Sequence, residues 1–389
     1  MNIAYDPTWL RNLHIVKACK SWADHGLIDA SQLPAIRAEH PSSFYHPNLF
    51  IRVLLFVATL VALSGVTGLV TLMFSDVIKS ETIAATLMLL YGLVSFVVLD
   101  RAFIHNARHY KSGVTEAVLY HAIGFTIAGA AWILNFQTTI FTLLCVVVFA
   151  FAAFRYLDLV STACAFGAVA YFIFSQLYLA GGVLQQVIPI VLIVFFTPAY
   201  FLIKWIQKNP ATEPWDDVLL VLESLSLLLI YIAGNYLVVR ELSQLLMGLT
   251  LEPGADIPFA YLFYGLTVII PVAYLYFGLK RKNLVLIRVS LFVIAFSVFT
   301  FKYYYSFGHP EITLTIAGAI LLTVTLLLFR YLKTPQHGYT RENLLKEKWA
   351  NSNLQSFIIS QTLGGNQAIT EPQSGDGGSF GGGGSTDSY

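Results

Sequence analysis

The sequence predicts an all-α, polytopic membrane protein of about ten transmembrane helices, and three observations carry that prediction. Of 389 residues, 57% are hydrophobic and only 12% are charged, about half the charged fraction usual in soluble domains. Apolar runs of about 20 residues, each long enough to cross roughly 30 Å of hydrocarbon as a helix, recur from Leu49 to Leu332. The cations, finally, gather on one face of the arrangement these runs imply.

Residues 1–48 read as a short helical hairpin. Asp6-Pro7 supplies an N-cap followed by proline at the first helical position, and Gly26 a left-handed stop. Asp29 and Gln32 stand at capping-box spacing before a second helix that Pro41 ends, so Leu13, Val16, Trp22, Leu27, Leu33 and Ile36 are expected to close a small apolar seam. So small a unit is marginal alone and is expected to dock on the membrane domain or on a partner. It holds no uninterrupted apolar core of the signal-peptide kind, so the first span is expected to direct insertion.

The spans fall near 49–74, 82–99, 114–134, 138–154, 159–179, 183–203, 218–238, 258–279, 284–301 and 311–332, making 49–332 the transmembrane domain. Arg155 and Asp158 alone separate the fourth from the fifth, which predicts a tight turn, since one long helix would leave a charged pair at mid-membrane. The outer link at about 239–257 is longer, and Leu242, Leu245, Leu246 and Leu249 beside Glu252-Pro253-Gly254 predict an interfacial helix. Residues 333–363 include an amphipathic stretch from Arg341 to Ile358, built on Leu345, Trp349 and Phe357, suited to lie on the inner leaflet. Residues 364–389, with Gly377-Gly378-Ser379-Phe380 followed by four glycines, lack the apolar content to pack and read as a disordered tail.

Ten spans put both termini and every even-to-odd link on one face. Eighteen cations fall there: Arg11, Lys17, Lys20 and Arg37 before the first span, Arg101, Arg108, Lys111, Arg155, Lys204, Lys208, Lys280, Arg281 and Lys282 in the links, and Arg330 at the inner end of the last span with Lys333, Arg341, Lys346 and Lys348 beyond it. Opposite them stand only Lys79, Arg240 and Lys302, the last beside an interfacial belt of Tyr303, Tyr304 and Tyr305. By the positive-inside rule the N- and C-termini are both cytoplasmic.

Several function classes are disfavoured. A net charge of +1 lacks the basic excess of a nucleic-acid binder. Cys19, Cys145 and Cys164 have no pair spacing, so neither a disulfide framework nor a thiolate metal site is suggested. No P-loop, dinucleotide fingerprint or nucleophile elbow occurs, and no cofactor is predicted. His105 and His109 stand four apart, but without the carboxylate of a zincin, and Arg108 adjoins.

Ionisable groups within spans are the remaining pointers, because each is costly in hydrocarbon unless paired or wetted. Glu223 in the seventh span and Arg288 in the ninth lie at similar depth, about 8 to 9 Å at a rise of roughly 1.5 Å per residue. They are placed to pair, either as a static bridge or within a solvent-lined site. Steps of four from Glu223 reach Leu227, Tyr231 and Asn235, a polar stripe expected to face protein or water. Glu116 and His121 enter the third span from the same side, with Tyr120, Gly124 and Ala128 following Glu116 at steps of four as a surface for close packing. Arg52 either pairs with Glu116 or snorkels to the interface. Pro189, Pro198 and Pro271 fall within spans and read as kinks or as sources of free carbonyls.

The stretch Trp22-Ala23-Asp24-His25-Gly26-Leu27-Ile28-Asp29, the first span about 20 residues later, and Phe299-Thr300-Phe301-Lys302-Tyr303-Tyr304-Tyr305 before the last span resemble a bacterial family of multi-span membrane proteins catalogued as domain of unknown function 2157. The resemblance covers residues 10–332 and implies a bacterial cytoplasmic (inner) membrane location without implying a chemistry. Two functions are expected to compete: a small-solute or ion transporter using Glu223, Arg288, His121 and Tyr231 between the third, seventh and ninth spans, or a non-catalytic scaffold recruiting cytoplasmic proteins through residues 1–48 or the tail. An intramembrane enzyme ranks below both, because the polar groups include no evident nucleophile, metal set or acid pair.

Overall fold

A computed structural model of the chain describes residues 3–24, 27–247 and 256–304, with single positions between 315 and 333. Nine helices among the described residues are long and apolar enough to cross a membrane. Two helices precede them, α1 (Pro7–Asp24) and α2 (Leu33–Glu39). The spans are α3 (Leu49–Met73), α4 (Glu81–Val98), α5 (Val114–Ile133), α6 (Thr138–Tyr156) and α7 (Leu159–Ala180). A single turn, α8 (Val183–Gln186), leads into α9 (Ile188–Ile206), then α10 (Asp216–Gly234), α11 (Tyr236–Met247), α12 (Ala260–Arg281) and α13 (Leu284–Tyr304). Of the predicted tenth span, the described positions from Thr315 to Tyr331 are helical. The predictions made for Gly26, Leu249, Glu252-Pro253-Gly254, the amphipathic stretch 341–358 and the tail 364–389 lie outside the described residues.

The spans pack in two groups. In the first, α5 lies against α3, α4 and α6; in the second, α10 lies against α7, α9, α12 and α13, and the α6–α7 pair joins the two. These two central helices are the most buried spans, whereas α3 has no buried residue at all. Close packing of α4 on α5 depends on small residues: a Cβ at Gly92 would meet Thr126, and one at Gly129 would meet the backbone of Ala85 and Leu89. The sequence expectation had placed the small-residue surface at Gly124 and Ala128. Gly124 in fact has open space beside it, and both residues line a groove.

The short links are held by local hydrogen bonds. Between α6 and α7, Leu157 takes the left-handed conformation at φ 54° and the Asp158 carboxylate caps α7 by accepting the Ser161 amide at 2.7 Å. Beyond Val98, α4 continues as a π-helix over Leu99–Asn106, past the predicted end of the span at 99; the buried Leu99 and Ile104 hold it on the core while Asp100 pairs with Arg155. His105 ends up in this π-segment and His109 in a two-residue backbone pairing with Tyr45, so the two do not share an α-helical face. Pro189 also departs from the expectation: it opens α9 rather than interrupting it, at a position where a missing N–H leaves no bond unmade. Pro198 and Pro271 lie inside α9 and α12.

Residues 3–24 and 27–48 dock on one end of the bundle, called here the hairpin end. The Ala4 amide donates to the Arg155 carbonyl at 2.9 Å, Tyr45 exchanges hydrogen bonds with Arg108 and Tyr110, and Tyr5 meets the rings of Phe44 and Tyr110 edge-on. Leu10 is buried in the same cluster as Leu99, Val118 and Tyr156. The predicted seam between the hairpin's own helices does not close as expected, for Trp22 is 49% and Leu27 56% exposed. The apolar face of α1 turns to the membrane domain instead, where far more apolar surface is available to cover it. Asp29 caps a 3-10 turn, Ala30–Gln32, by accepting the Ser31 amide, and this bond holds its carboxyl below the usual range.

Gly129→Val is expected to destabilise the bundle by about 1–3 kcal/mol through overpacking, read as a lower midpoint in thermal or detergent unfolding of the purified protein. Gly124→Val, with open space beside it, should leave the midpoint unchanged; equal losses at both positions would contradict the packing described.

Candidate functional site

Glu223 is 1% exposed at the hairpin-end half of α10. Its Oε2 accepts from Lys204 Nζ at 3.2 Å and Gln207 Nε2 at 3.0 Å, and its Oε1 from Asn283 Nδ2 at 3.2 Å. Lys204 closes α9, Gln207 follows it, and Asn283 caps α13 by accepting the Val285 amide, so one carboxylate ties three helices. Arg288 is not its partner. The buried face of α13 runs through Leu286, Val289, Ser290, Val293, Ser297 and Thr300, and Arg288 falls off that stripe onto the exposed side. Equal depth had suggested a pair; azimuth around the helix forbids it.

Further along α10, the stripe faces protein. Leu227 and Tyr231 are buried, and Asn235 Nδ2 donates to the Tyr231 hydroxyl and to Thr300 Oγ1, both at 2.9 Å. Asn235 lies at the break between α10 and α11, where its Oδ1 accepts the Val238 amide, so the seventh span ends earlier than predicted. At this far end Tyr236 and Tyr264 donate to Asp256, Tyr304 donates to Glu241, and Arg240 lies over the Tyr304 ring. Burial works to raise the Asp256 carboxyl, but donations from Tyr236, the Ile257 amide and Tyr264 outweigh it and hold it below its ordinary value.

His121 lies elsewhere, between α4 and α5. Its Nδ1 is 3.0 Å from Ser95 Oγ, its ring packs on Phe125, and its buried Nε2 has no partner among the described residues. With α5 in one packing group and α13 in the other, the expected polar path through His121, Glu223, Arg288 and Tyr231 is not assembled.

The polar cavity lies instead at the hairpin end of α5. A chamber of about 250 Å³ is lined by Tyr5, Arg52, Lys111, Thr115, Glu116, Tyr120, Tyr156 and Asp158, with Leu99, Leu119, Leu157, Leu159 and Val160 completing its walls. Glu116 belongs to the first turn of α5, where its Oε2 accepts the Gly113 amide at 2.7 Å and the Thr115 hydroxyl at 2.9 Å. Its Oε1 pairs with Arg52 Nη2, which decides for pairing over snorkelling. Gly113 makes this approach possible: it sits at φ 90°, and a Cβ there would strike the Arg52 carbonyl. Across the chamber the Tyr120 hydroxyl donates to Asp158 Oδ1 at 3.1 Å, while Lys111 reaches out to Asp217 at 3.3 Å. Tyr5 faces this space from the N-terminal segment; burial, then the negative charge of Glu116, pushes its phenol well above the ordinary value, so it stays protonated.

Beyond Tyr120 and Val160, which line both spaces, an apolar groove of about 540 Å³ runs along α5 past Gly124, Ile127 and Ala128 to Phe136 and Phe141 near the far end. The stripe Glu116–Tyr120–Gly124–Ala128 is therefore a cavity wall. Sequence reasoning missed Asp158 and Tyr5 as members of this site. The signal for Asp158 was its place between two apolar runs; for Tyr5, remote in sequence, there was none.

Fold and site together define a polytopic helical membrane protein with a charged chamber at one end of its first helix group. No family model, curated protein or solved structure matches the chain.

In a background without Cys19, Cys145 and Cys164, Leu159→Cys in the chamber wall should react with a small water-borne thiol reagent, and Glu223→Cys should resist it. Equal protection at both positions would mean that the chamber is dry. Separately, Glu223→Leu removes the shared acceptor of Lys204, Gln207 and Asn283 and should cost on the order of 1–3 kcal/mol of stability, measured by thermal unfolding.

Proposed function

We propose that the protein is a membrane transporter for a small polar solute, which binds in the chamber formed by Arg52, Glu116, Tyr120 and Asp158. The observation that carries this reading is the chamber itself: two carboxylates and two cations, Arg52 and Lys111, converge on one cavity that continues into an apolar groove along the most buried helix of its group. A lining with equal numbers of both charges favours a zwitterionic or neutral polar solute over a strongly charged one. The hydrogen bond from Tyr120 to Asp158 divides chamber from groove, and a solute bringing its own donor to Asp158 releases the tyrosine ring. Tyr5 stands at the chamber's hairpin end and must withdraw for passage. Glu223, fully bonded within the second group, serves as a structural clamp.

The hairpin end faces the cytoplasm in this reading, supported by the cations of the even-to-odd links and the positive-inside rule. The resemblance to the domain of unknown function 2157 family supports a bacterial inner membrane.

With the purified protein in liposomes, a panel of zwitterionic and neutral polar solutes is screened for uptake. Flux of the transported solute is expected to fall at least tenfold in Glu116→Gln and in Asp158→Asn, and to stay normal in Arg288→Gln. Undiminished flux in the two chamber variants would sink the site assignment; no uptake of any solute would sink the transport reading.

One observation favours a second reading, a scaffold that recruits cytoplasmic proteins: Trp22 and Leu27 stand exposed near the tip of the hairpin. Because Tyr5, Leu10 and Phe44 are built into the bundle's core, deleting residues 1–45 would damage the membrane domain and is a poor test. Trp22→Ala with Leu27→Ala is the cleaner one: loss of a co-purifying partner with transport intact would support recruitment.

A further inference from the structure

Between the hairpin and the start of α3 lies a second, wider space of about 900 Å³, and its lining is one-sided in charge. Lys17 and Lys20 of α1 and Arg37 of α2 face it, together with Arg52 and Lys111 at its inner edge, and no carboxylate is among the described residues lining it. Arg52 and Lys111 are already engaged, by Glu116 and Asp217. Lys17, Lys20 and Arg37 are exposed and make no ion pair among the described residues. Three unneutralised cations converging on one groove repel each other, and an anion placed among them relieves that repulsion.

Two further features say which anion. Leu13 and Val16 give the groove an apolar wall, while Ser42, also in its lining, carries a hydroxyl with no hydrogen-bond partner among the described residues. The groove also opens at the first turn of α3: Pro47 is in its lining, and beside it Leu49, Phe50, Val53 and Leu54 are all more than half exposed on a span without a buried residue. Headgroup-level cations set above a bare apolar helix face match a molecule with phosphate at one end and acyl chains at the other.

We propose that this groove binds the headgroup of an anionic phospholipid, with Lys17, Lys20 and Arg37 on its phosphate, Ser42 donating to a headgroup oxygen, and the acyl chains running down α3. The site adjoins the solute chamber, with Arg52 and Lys111 lining both, and does not depend on the transport reading. It gives residues 1–48 a membrane-dependent anchor in addition to their contacts with the bundle.

The test uses the full-length protein in neutral detergent, titrated with phosphatidylglycerol, phosphatidylcholine or free glycerol phosphate and followed by native mass spectrometry and thermal unfolding. Phosphatidylglycerol is expected to be retained and to raise the midpoint, with neither of the other two doing so. Neutralising the three free cations together (Lys17→Gln, Lys20→Gln, Arg37→Gln) should weaken retention roughly fivefold per charge, about a hundredfold in all. All three positions are exposed, so the variant's unliganded midpoint should match that of the unmodified protein. Equal retention of the two lipids, or an undiminished preference in the variant, would overturn the proposal. Binding of glycerol phosphate as tight as that of the lipid would overturn it too, by assigning the groove to a soluble anion.

Discussion

A carboxylate carried into hydrocarbon must find donors or lose its charge, and that constraint organises both halves of this molecule. Each helix group is built round one central span, and each central span bears one buried glutamate toward the hairpin end: Glu116 on α5 and Glu223 on α10. The neighbours supply what each needs. Arg52 from α3, the Gly113 amide and the Thr115 hydroxyl serve the first; Lys204, Gln207 and Asn283 serve the second. Ends of helices that are far apart in sequence are thereby fixed side by side.

The two solutions differ in what they leave over. Around Glu223 the donors come from three directions and enclose the carboxylate, which makes a clamp. Around Glu116 one side stays open to a chamber in which Asp158 and Tyr120 form a second polar pair. The same physical need thus yields a joint in one group and a binding site in the other. The difference lies in whether a neighbouring helix end or a cavity stands opposite the carboxylate.

Much of the fold was legible in the sequence because bilayer thickness imposes a length on every span and charge marks the links. The break between α6 and α7 could be read from Arg155 and Asp158 alone. Contacts between spans were less legible, since hydropathy gives depth but not azimuth. Glu223 and Arg288 share a depth and still point apart; the periodicity of Leu286, Val289 and Val293 could have excluded the pairing. Gly124 and Gly129 look alike in sequence, yet only the second meets a neighbouring backbone. Glu116 was found by its cost in hydrocarbon, whereas Asp158 was hidden by its second role as a helix cap. The docking of Tyr5 depends on tertiary packing that no local pattern announces.

The π-helix after α4 makes one part of this protein sensitive to chain length as well as to side-chain identity. A π-turn holds more residues than an α-turn. Losing one residue between Leu99 and Asn106 would change the turn on which the chain leaves this segment. The strand-like pairing of Tyr45 with Arg108 and Tyr110, and with it the seating of the amino-terminal segment, lies directly downstream. Conservative substitutions there leave the register intact, whereas an insertion or deletion would disturb it. Related chains should therefore keep the spacing here along with the residues that hold it, Leu99, Asp100 and Ile104.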